Sequence, residues 1–315
     1  MPLLAILLAL ILGCASPPPT PPIGSAAAVE ATELERANAL RKEGIALYER
    51  GNYLEAISQL ETSLWLEPGR SDIQFLLFYC YLSTGNYKAA KRTANTLARN
   101  FPFQSLSYQQ LGLAELWMGN KKAALEYLRR AKDFKFYQPK LNFYIGLASD
   151  SENARHKSFG AAEEEYEEIL KKNPKDFTAN FELASLYLFW NKKIERVAGL
   201  LATAKTNLIG ETEEFPEEQG VLLRFHFPLL EGILAYRTGN PAGSVAKLLH
   251  ALADAPQGSS ADLAELYYYM GLSHAALENA GTAQMLFEKS LSLDEKGPFA
   301  TESKRELRTL SSLPE

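Results

Sequence analysis

The sequence predicts an all-α fold, a solenoid of about seven helix-turn-helix repeats that ends in a C-terminal capping helix. Three observations lead to this prediction. Glycine, alanine and proline recur at a fixed interval of 34 residues, and self-similarity at one period is typical of repeat proteins. Each interval contains two stretches of helical character joined at a turn, usually a Gly-Asn pair. Hydrophobic residues make up 46% and charged residues 23% of the 315 residues, the balance of a chain that folds around a core.

The N-terminus predicts a secretory signal. Leu3 to Leu12 is an unbroken apolar run, shorter than the roughly 20 residues that span a bilayer, and it ends at Gly13. Ile11-Leu12-Gly13-Cys14 resembles the lipobox of bacterial lipoproteins, which implies that residues 1-13 are removed and that the Cys14 thiol is lipidated. No Lys or Arg precedes the apolar run, which departs from this pattern and leaves a start farther upstream open. The alternative is an apolar N-terminus with a chance Gly-Cys pair.

Residues 14-36 are predicted to be a tether. Five of residues 17–22 are proline, and proline favours an extended polyproline conformation over a helix. At about 3.1 Å per residue, residues 15–32 could hold the next domain up to roughly 50 Å from the lipid. In enteric lipoproteins an alanine such as Ala15 after the lipidated cysteine implies the outer membrane. The predicted location is therefore the bacterial cell envelope, on the periplasmic face of the outer membrane.

The 34-residue period has three markers, which are the glycine of the turn, an alanine in the second helix and a proline after it. They are Gly51, Gly85 and Gly119; Ala56, Ala90 and Ala124; and Pro68 and Pro102. Small residues at the eighth and twentieth positions of a repeat are expected where the two helices cross, because larger side chains would hold the backbones apart.

This pattern resembles the tetratricopeptide repeat (TPR), which has the same length. The resemblance covers nearly the whole chain after the tether and implies a right-handed α-solenoid at 37-298. Seven copies start near 37, 71, 105, 139, 177, 225 and 264, and an insertion at 212–224 separates the fifth from the sixth. Residues 299-315 are the predicted capping helix and tail, whose polar face would solvate the last repeat.

No catalytic residue, metal site or cofactor is predicted, and the protein is predicted not to be an enzyme. The sequence lacks nucleophile-elbow, zinc-protease, phosphate-loop and dinucleotide motifs, and its four histidines are scattered. Cys80 is expected to be a small core residue. The net charge of -5 disfavours nucleic acid as a partner. The glutamates at 163–168 are predicted to form a solvated helix face, and those of the 212–224 insertion are a candidate partner contact.

The TPR resemblance also implies a concave groove, lined by defined positions of each first helix. This groove would be apolar and aromatic, suited to a peptide or helix of another envelope protein, although each residue could instead pack between repeats. The groove residues are Phe75, Tyr79, Leu113, Trp117, Phe143, Phe181, Phe189 and Tyr268. A carboxylate clamp like that of chaperone-cofactor TPR domains is not expected, because Arg41 and Ile45 occupy the clamp positions of the first repeat.

Basic residues are concentrated on the predicted second helices between 85 and 140. They form a candidate convex patch for acidic lipid, cell-wall polymer or an acidic partner, against the alternative of a solvated face. The patch consists of Lys88, Lys91, Arg92, Lys121, Lys122, Arg129 and Arg130.

The predicted function is a non-enzymatic scaffold or adaptor for protein–protein interaction. The lipoprotein resemblance places it on the outer membrane, where it would assist the assembly or recruitment of pilus, secretin, outer-membrane protein or cell-wall machinery. The alternative is an accessory role in polysaccharide export or binding through the aromatic groove. The identity of the partner and the oligomeric state stay open.

Overall fold

The computed structural model describes residues 26–102, 104–134, 138–209 and 221–312, and these residues form 15 α-helices, one π-helical turn and no strand. The helices are α1 Ala26–Glu49, α2 Tyr53–Leu66, α3 Ser71–Ser83, α4 Tyr87–Asn100, α5 Ser105–Trp117, α6 Lys121–Lys132, α7 Lys140–Ala148, α8 Glu152–Lys172, α9 Phe177–Trp190, α10 Ile194–Ile209, α11 Phe227–Arg237, α12 Pro241–Ala253, α13 Ser260–Ala276, α14 Ala280–Leu293 and α15 Ala300–Ser311, with the π-helical turn at Leu222–His226.

The helices form seven consecutive pairs, α1–α2 to α13–α14, followed by the single helix α15. The predicted all-α solenoid of about seven repeats with a capping helix is confirmed. The predicted signal peptide, Cys14, the start of the tether and most of the 212–224 insertion lie outside the described residues. Cys80 is fully buried, as expected for a core residue.

Helix α1 begins at Ala26, inside the segment predicted as tether, rather than near residue 37. Residues 26–36 are rich in alanine and glutamate and contain neither glycine nor proline, so their intrinsic preference is helical. Helix α13 likewise begins at Ser260, ahead of the predicted start near 264. Both differences lengthen a first helix at its N-terminal end.

The two helices of a repeat cross closely at a glycine in five repeats. A Cβ atom on Gly112 would lie 2.5 Å from Leu128 Cγ, and one on Gly232 would lie 2.7 Å from Leu248 Cγ. Such distances leave no room for a side chain. The second repeat reverses this arrangement, because Phe78 stands at the glycine position and Ala94 at the leucine position, both fully buried. The five glycines are Gly44, Gly112, Gly146, Gly232 and Gly271.

In five of the seven repeats, all but the fourth and the fifth, the turn uses a left-handed backbone residue followed by asparagine. In four repeats this residue is glycine, with φ between 73° and 81°, a conformation that costs glycine little. The asparagine then begins the second helix, and Asn240 accepts a hydrogen bond from the Gly243 N–H at 2.9 Å. The four glycines are Gly51, Gly85, Gly119 and Gly239.

The seventh repeat has the exposed Glu278 at this turn position, with φ of 62°. We expect Glu278→Gly to stabilise the protein by about 1 kcal/mol, because a residue with a Cβ atom pays about 1–2 kcal/mol for left-handed backbone and glycine pays less. Urea unfolding followed by circular dichroism would measure the shift. Gly239→Glu, in the corresponding turn of the sixth repeat, is the matched control and should destabilise. A lower midpoint for Glu278→Gly would contradict this account.

The solenoid curves until its last repeats contact its first ones. A Cβ atom on Gly51 would lie 2.9 Å from Pro256 Cβ, and one on Gly85 would lie 3.4 Å from Ser260 Oγ. Ala261 also packs against the hydrophobic core of the N-terminal repeats. We call these approaches the closure contact; its pairs are Gly51 with Pro256, Gly85 with Ser260, and Gly119 with Lys296. The concave side therefore lies inside a closed turn of the solenoid rather than along an open groove.

Candidate binding site in the solenoid interior

The closed solenoid surrounds a cavity of about 160 Å³, which we call the interior cavity. Its walls come from the first helices α5, α7, α9, α11 and α13 and from the segment between α14 and α15. This volume corresponds to about five water molecules and is smaller than the roughly 300–1,000 Å³ of pockets for drug-sized ligands. The cavity is large enough for one side chain and too small for a peptide segment of several residues.

Four of the eight predicted groove residues line the interior cavity together. They are Trp117, Phe143, Phe181 and Phe189, from three successive repeats. Phe143 and Phe189 meet edge to face, with ring centroids 5.3 Å apart, and Phe189 reaches Phe299 across the cavity wall at 6.1 Å. These rings give the cavity a rigid apolar side.

The other four predicted groove residues are buried and do not line the cavity. Phe75 and Tyr79 are buried in the second repeat, Leu113 is 1% exposed, and Tyr268 packs on Phe299 with ring centroids 5.4 Å apart. For these four residues a part in binding stays a prediction.

The opposite side of the cavity carries ionisable side chains, which the sequence patterns did not predict. Lys140 pairs with Glu182 at 2.5 Å. Burial, followed by repulsion from Asp262, raises the pKa of Glu265 to about 8, and burial lowers the pKa of His226 to about 4. Glu265 is therefore largely protonated and His226 neutral at pH 7. The sequence does contain one sign of this site. Glu265 is a charged residue within the apolar stretch Leu263-Ala264-Glu265-Leu266 of α13.

Three residues of the cavity, Trp117, His226 and Asp294, each have a polar side-chain atom with no hydrogen-bond partner among the described residues. Trp117 and His226 are each 8% exposed, and Nε1 of the indole and Nε2 of the imidazole are unpaired. An unsatisfied buried polar group costs about 1–3 kcal/mol, so such groups mark places where a ligand or water completes the structure. The cavity can therefore form hydrogen bonds with a guest.

The predicted basic convex patch lies on helices α4 and α6. Two of its lysines are engaged, Lys91 with Glu115 at 2.6 Å and Lys121 with Asp150 at 3.8 Å. Arg130 lies over the Tyr108 ring, 4.4 Å from its centroid. The exposed members are Lys88, Arg92, Lys122, Arg129 and Arg130. The exposed part of the patch is thus smaller than the sequence suggested, and its binding role stays a prediction.

The glutamates at 163–168 are not simply a solvated face. Glu163 pairs with Lys193, and Glu167 pairs with Arg196, so the network joins α8 to the next repeat. Tyr187 Oη lies 2.8 Å from Glu163 Oε1. Burial alone would raise the pKa of Glu163, but the hydrogen bonds from Lys193 and Tyr187 outweigh it and lower that pKa. The prediction of a solvated face is therefore wrong for Glu163 and Glu167, whereas Glu164 and Glu168 are exposed as expected.

Comparison with known proteins agrees with this geometry. Residues 47–116 match the tetratricopeptide repeat family. This TPR segment covers the end of α1, the whole of α2, the second repeat and nearly all of α5. A search of curated proteins found none that matches the chain. No helix among the described residues is long and apolar enough to cross a bilayer, and within these residues no group of His, Cys, Asp and Glu is arranged to bind a metal ion.

Several solved structures are similar to the chain. The crystal structure of the APC/C hetero-tetramer Cut9–Hcn1 matches 87% of this chain and 50% of its own chain, at 12% identity and a TM-score of 0.59. The chain thus spans about half the length of that protein. A tetratricopeptide repeat protein from Parabacteroides merdae matches at 14% identity, covering 88% and 100% of the two chains with a TM-score of 0.49. PilF of Pseudomonas aeruginosa matches at 16% identity, covering 72% and 95% with a TM-score of 0.38. The fold is a TPR-like solenoid.

Proposed function

We propose that the protein is a non-enzymatic scaffold for protein–protein interaction. The observation that best supports this is the interior cavity, where aromatic rings and ionisable side chains from successive TPR-like repeats converge. Aromatic residues and desolvated charged groups supply much of the binding energy at protein interfaces. In this proposal one projecting side chain of a partner enters the cavity, and the surrounding repeats contact the rest of that partner.

We also propose that a lipid on Cys14 anchors the scaffold to the outer membrane, facing the periplasm. The support is the Leu12-Gly13-Cys14 sequence and the prolines that follow it. Because α1 begins at Ala26, residues 15–25 can extend at most about 35 Å, at about 3.1 Å per residue. The scaffold would then work close to the membrane, on the assembly or recruitment of pilus, secretin, outer-membrane protein or cell-wall machinery.

Photo-crosslinking in the native envelope tests the scaffold role. A photoreactive amino acid at Ser185, which lines the cavity, should capture a protein. The matched control is the same amino acid at Lys171, which is exposed on α8 outside the cavity and should capture little. Capture of polysaccharide at position 185 would instead support the alternative function. Equal protein capture at both positions would overturn the proposed site.

Cys14→Ser is expected to release the protein from the membrane fraction and to abolish labelling by a radioactive or clickable fatty acid. The thiol is the group that would accept the lipid, and a serine hydroxyl is not a substrate for that step in the lipoprotein family. Cys80→Ser is the control, because that residue is buried in the core, and it should leave acylation unchanged. Acyl labelling that persists in Cys14→Ser would refute the anchor.

A further inference from the structure

Among the described residues that line it, the interior cavity has more acidic groups than cationic ones. Asp262, Glu265 and Asp294 all line it, and among the described lining residues the one Lys or Arg is Lys140. Lys140 already pairs with Glu182 at 2.5 Å. Asp262 accepts a hydrogen bond from Ser259 Oγ at 2.5 Å, a neutral donor that leaves its charge uncompensated. The cavity therefore suits a cationic guest and disfavours an anionic one.

The shortage of cations affects the pKa values of the carboxyl groups. Burial raises the pKa values of both Glu265 and Asp294, since each carboxylate would lack a compensating charge in a low-dielectric site. An inserted cation would reverse this shift, because an opposite charge within a few ångströms favours the ionised form. Binding of a cation at pH 7 would consequently release a proton from Glu265.

The unpaired atoms of Trp117 and His226 are a second and independent sign of a missing ligand. Both residues line the same cavity, and each is more than nine-tenths buried. The neutral imidazole presents Nε2 to a guest, and the indole N–H presents a donor. Neither atom is explained by the packing of the solenoid, whereas a guest with polar atoms would satisfy both.

The walls decide which kind of cation fits. Phe181, Leu229 and Phe299 make one side of the cavity apolar, which suits an alkyl stem, and aromatic faces also attract cations. The volume of about 160 Å³ admits a single extended side chain. A stem that is apolar along its length and positively charged at its end matches both sides of the cavity.

We propose that the interior cavity binds a lysine side chain of a partner protein, with its ammonium group held by Asp262, Glu265 and His226. The alkyl stem packs against the aromatic wall. The peptide carbonyl of the same residue is the acceptor available to the Trp117 indole. This proposal rests on the proposed scaffold role in one respect, which is that a partner protein supplies the lysine. The binding of a lysine side chain by the cavity can be tested without any partner.

Isothermal titration calorimetry on the full chain tests the site with three probes. Nα-acetyl-L-lysine N-methylamide should bind roughly tenfold more tightly than the norleucine analogue, the effect of one charge-assisted hydrogen bond. Cadaverine, a free diamine without a peptide group, should bind more weakly than the lysine probe. Equal affinities for the lysine and norleucine probes would overturn the proposal. Tighter binding of cadaverine than of the lysine probe would show that the cavity binds small free amines, and it would overturn the proposal that a partner protein supplies the lysine.

Two variants separate binding from folding. Glu265→Gln should weaken the lysine probe and abolish the proton release that titrations in phosphate and Tris buffers detect, whereas Glu126→Gln, at an exposed position on α6, should change neither. Asp262→Asn gives a second test of affinity if Glu265→Gln unfolds. Unchanged affinity in both cavity variants would refute the site, even if crosslinking identifies a partner. Failed crosslinking with intact lysine binding would instead refute the scaffold role alone.

Discussion

Gly112→Phe is expected to destabilise the solenoid by about 3 kcal/mol, at the upper end of what overpacking a core costs. The reason is the crossing of α5 and α6, where a Cβ atom on Gly112 would already lie 2.5 Å from Leu128 Cγ. A phenyl ring there must push the two helices apart and disturb the contacts with the neighbouring repeats. Urea unfolding monitored by circular dichroism would measure the loss.

The second repeat suggests the compensating change. Its Phe78 and Ala94 occupy the positions of Gly112 and Leu128, and both are fully buried. Leu128→Ala alone should cost about 3 kcal/mol through the cavity that it leaves. The double variant Gly112→Phe, Leu128→Ala should then be more stable than either single variant, because the ring fills that space. Additive losses in the double variant would show that the second repeat packs by another principle.

Phe159→Ala is expected to cost about 4 kcal/mol, within the range for removing a large buried aromatic ring. Phe159 is 1% exposed and fills the close crossing at Gly146. Its ring centroid lies 5.5 Å from that of Phe143 and 5.9 Å from that of Phe189. The variant should also loosen the wall of the interior cavity, because Phe143 and Phe189 line it.

Trp65→Ala is the matched control for this loss. The Trp65 side chain is 77% exposed on α2, and removing an exposed side chain usually changes stability by less than about 0.5 kcal/mol. Thermal and urea unfolding of the two variants would be compared with those of the parent protein. If Phe159→Ala were as stable as Trp65→Ala, the contacts of Phe159 with Phe143 and Phe189 would not stabilise the fourth and fifth repeats.

The repeat architecture could be predicted because close packing leaves a local mark on the sequence. A helix crossing that admits only glycine, and a turn that needs left-handed backbone, each require a particular residue at a fixed interval. Gly112 and Gly119 show both requirements in the third repeat. A pattern of this kind is visible without knowledge of any distant contact.

The closure contact and the interior cavity have no comparable local pattern in the sequence. The curvature of a solenoid accumulates from small rotations between neighbouring repeats, and no single residue determines their sum. The approach of Pro256 to Gly51 depends on that sum. The acidic side of the cavity depends on it as well, because Glu265 meets its surroundings only when the solenoid has closed. For the same reason a concave aromatic groove was expected where the structure has a cavity inside the closed solenoid.

The glutamates of α8 illustrate a different limit. A run of charged residues looks the same whether it faces water or forms ion pairs. Glu163 and Glu167 find Lys193 and Arg196 in the following repeat, and the choice between the two arrangements is made by the angle between the repeats. The sequence records the charges but not that angle.

Because of the closure contact, the stability of the fold depends on the number of repeats. An open solenoid tolerates the loss or gain of a unit, since each repeat needs only its neighbours. Here the turns at Gly51, Gly85 and Gly119 each meet a specific residue of the last two repeats. Deleting one internal repeat would shift every one of these pairings out of register. Evolution by duplication or loss of repeats is therefore restricted in this chain, in the way that a ring restricts the number of its subunits.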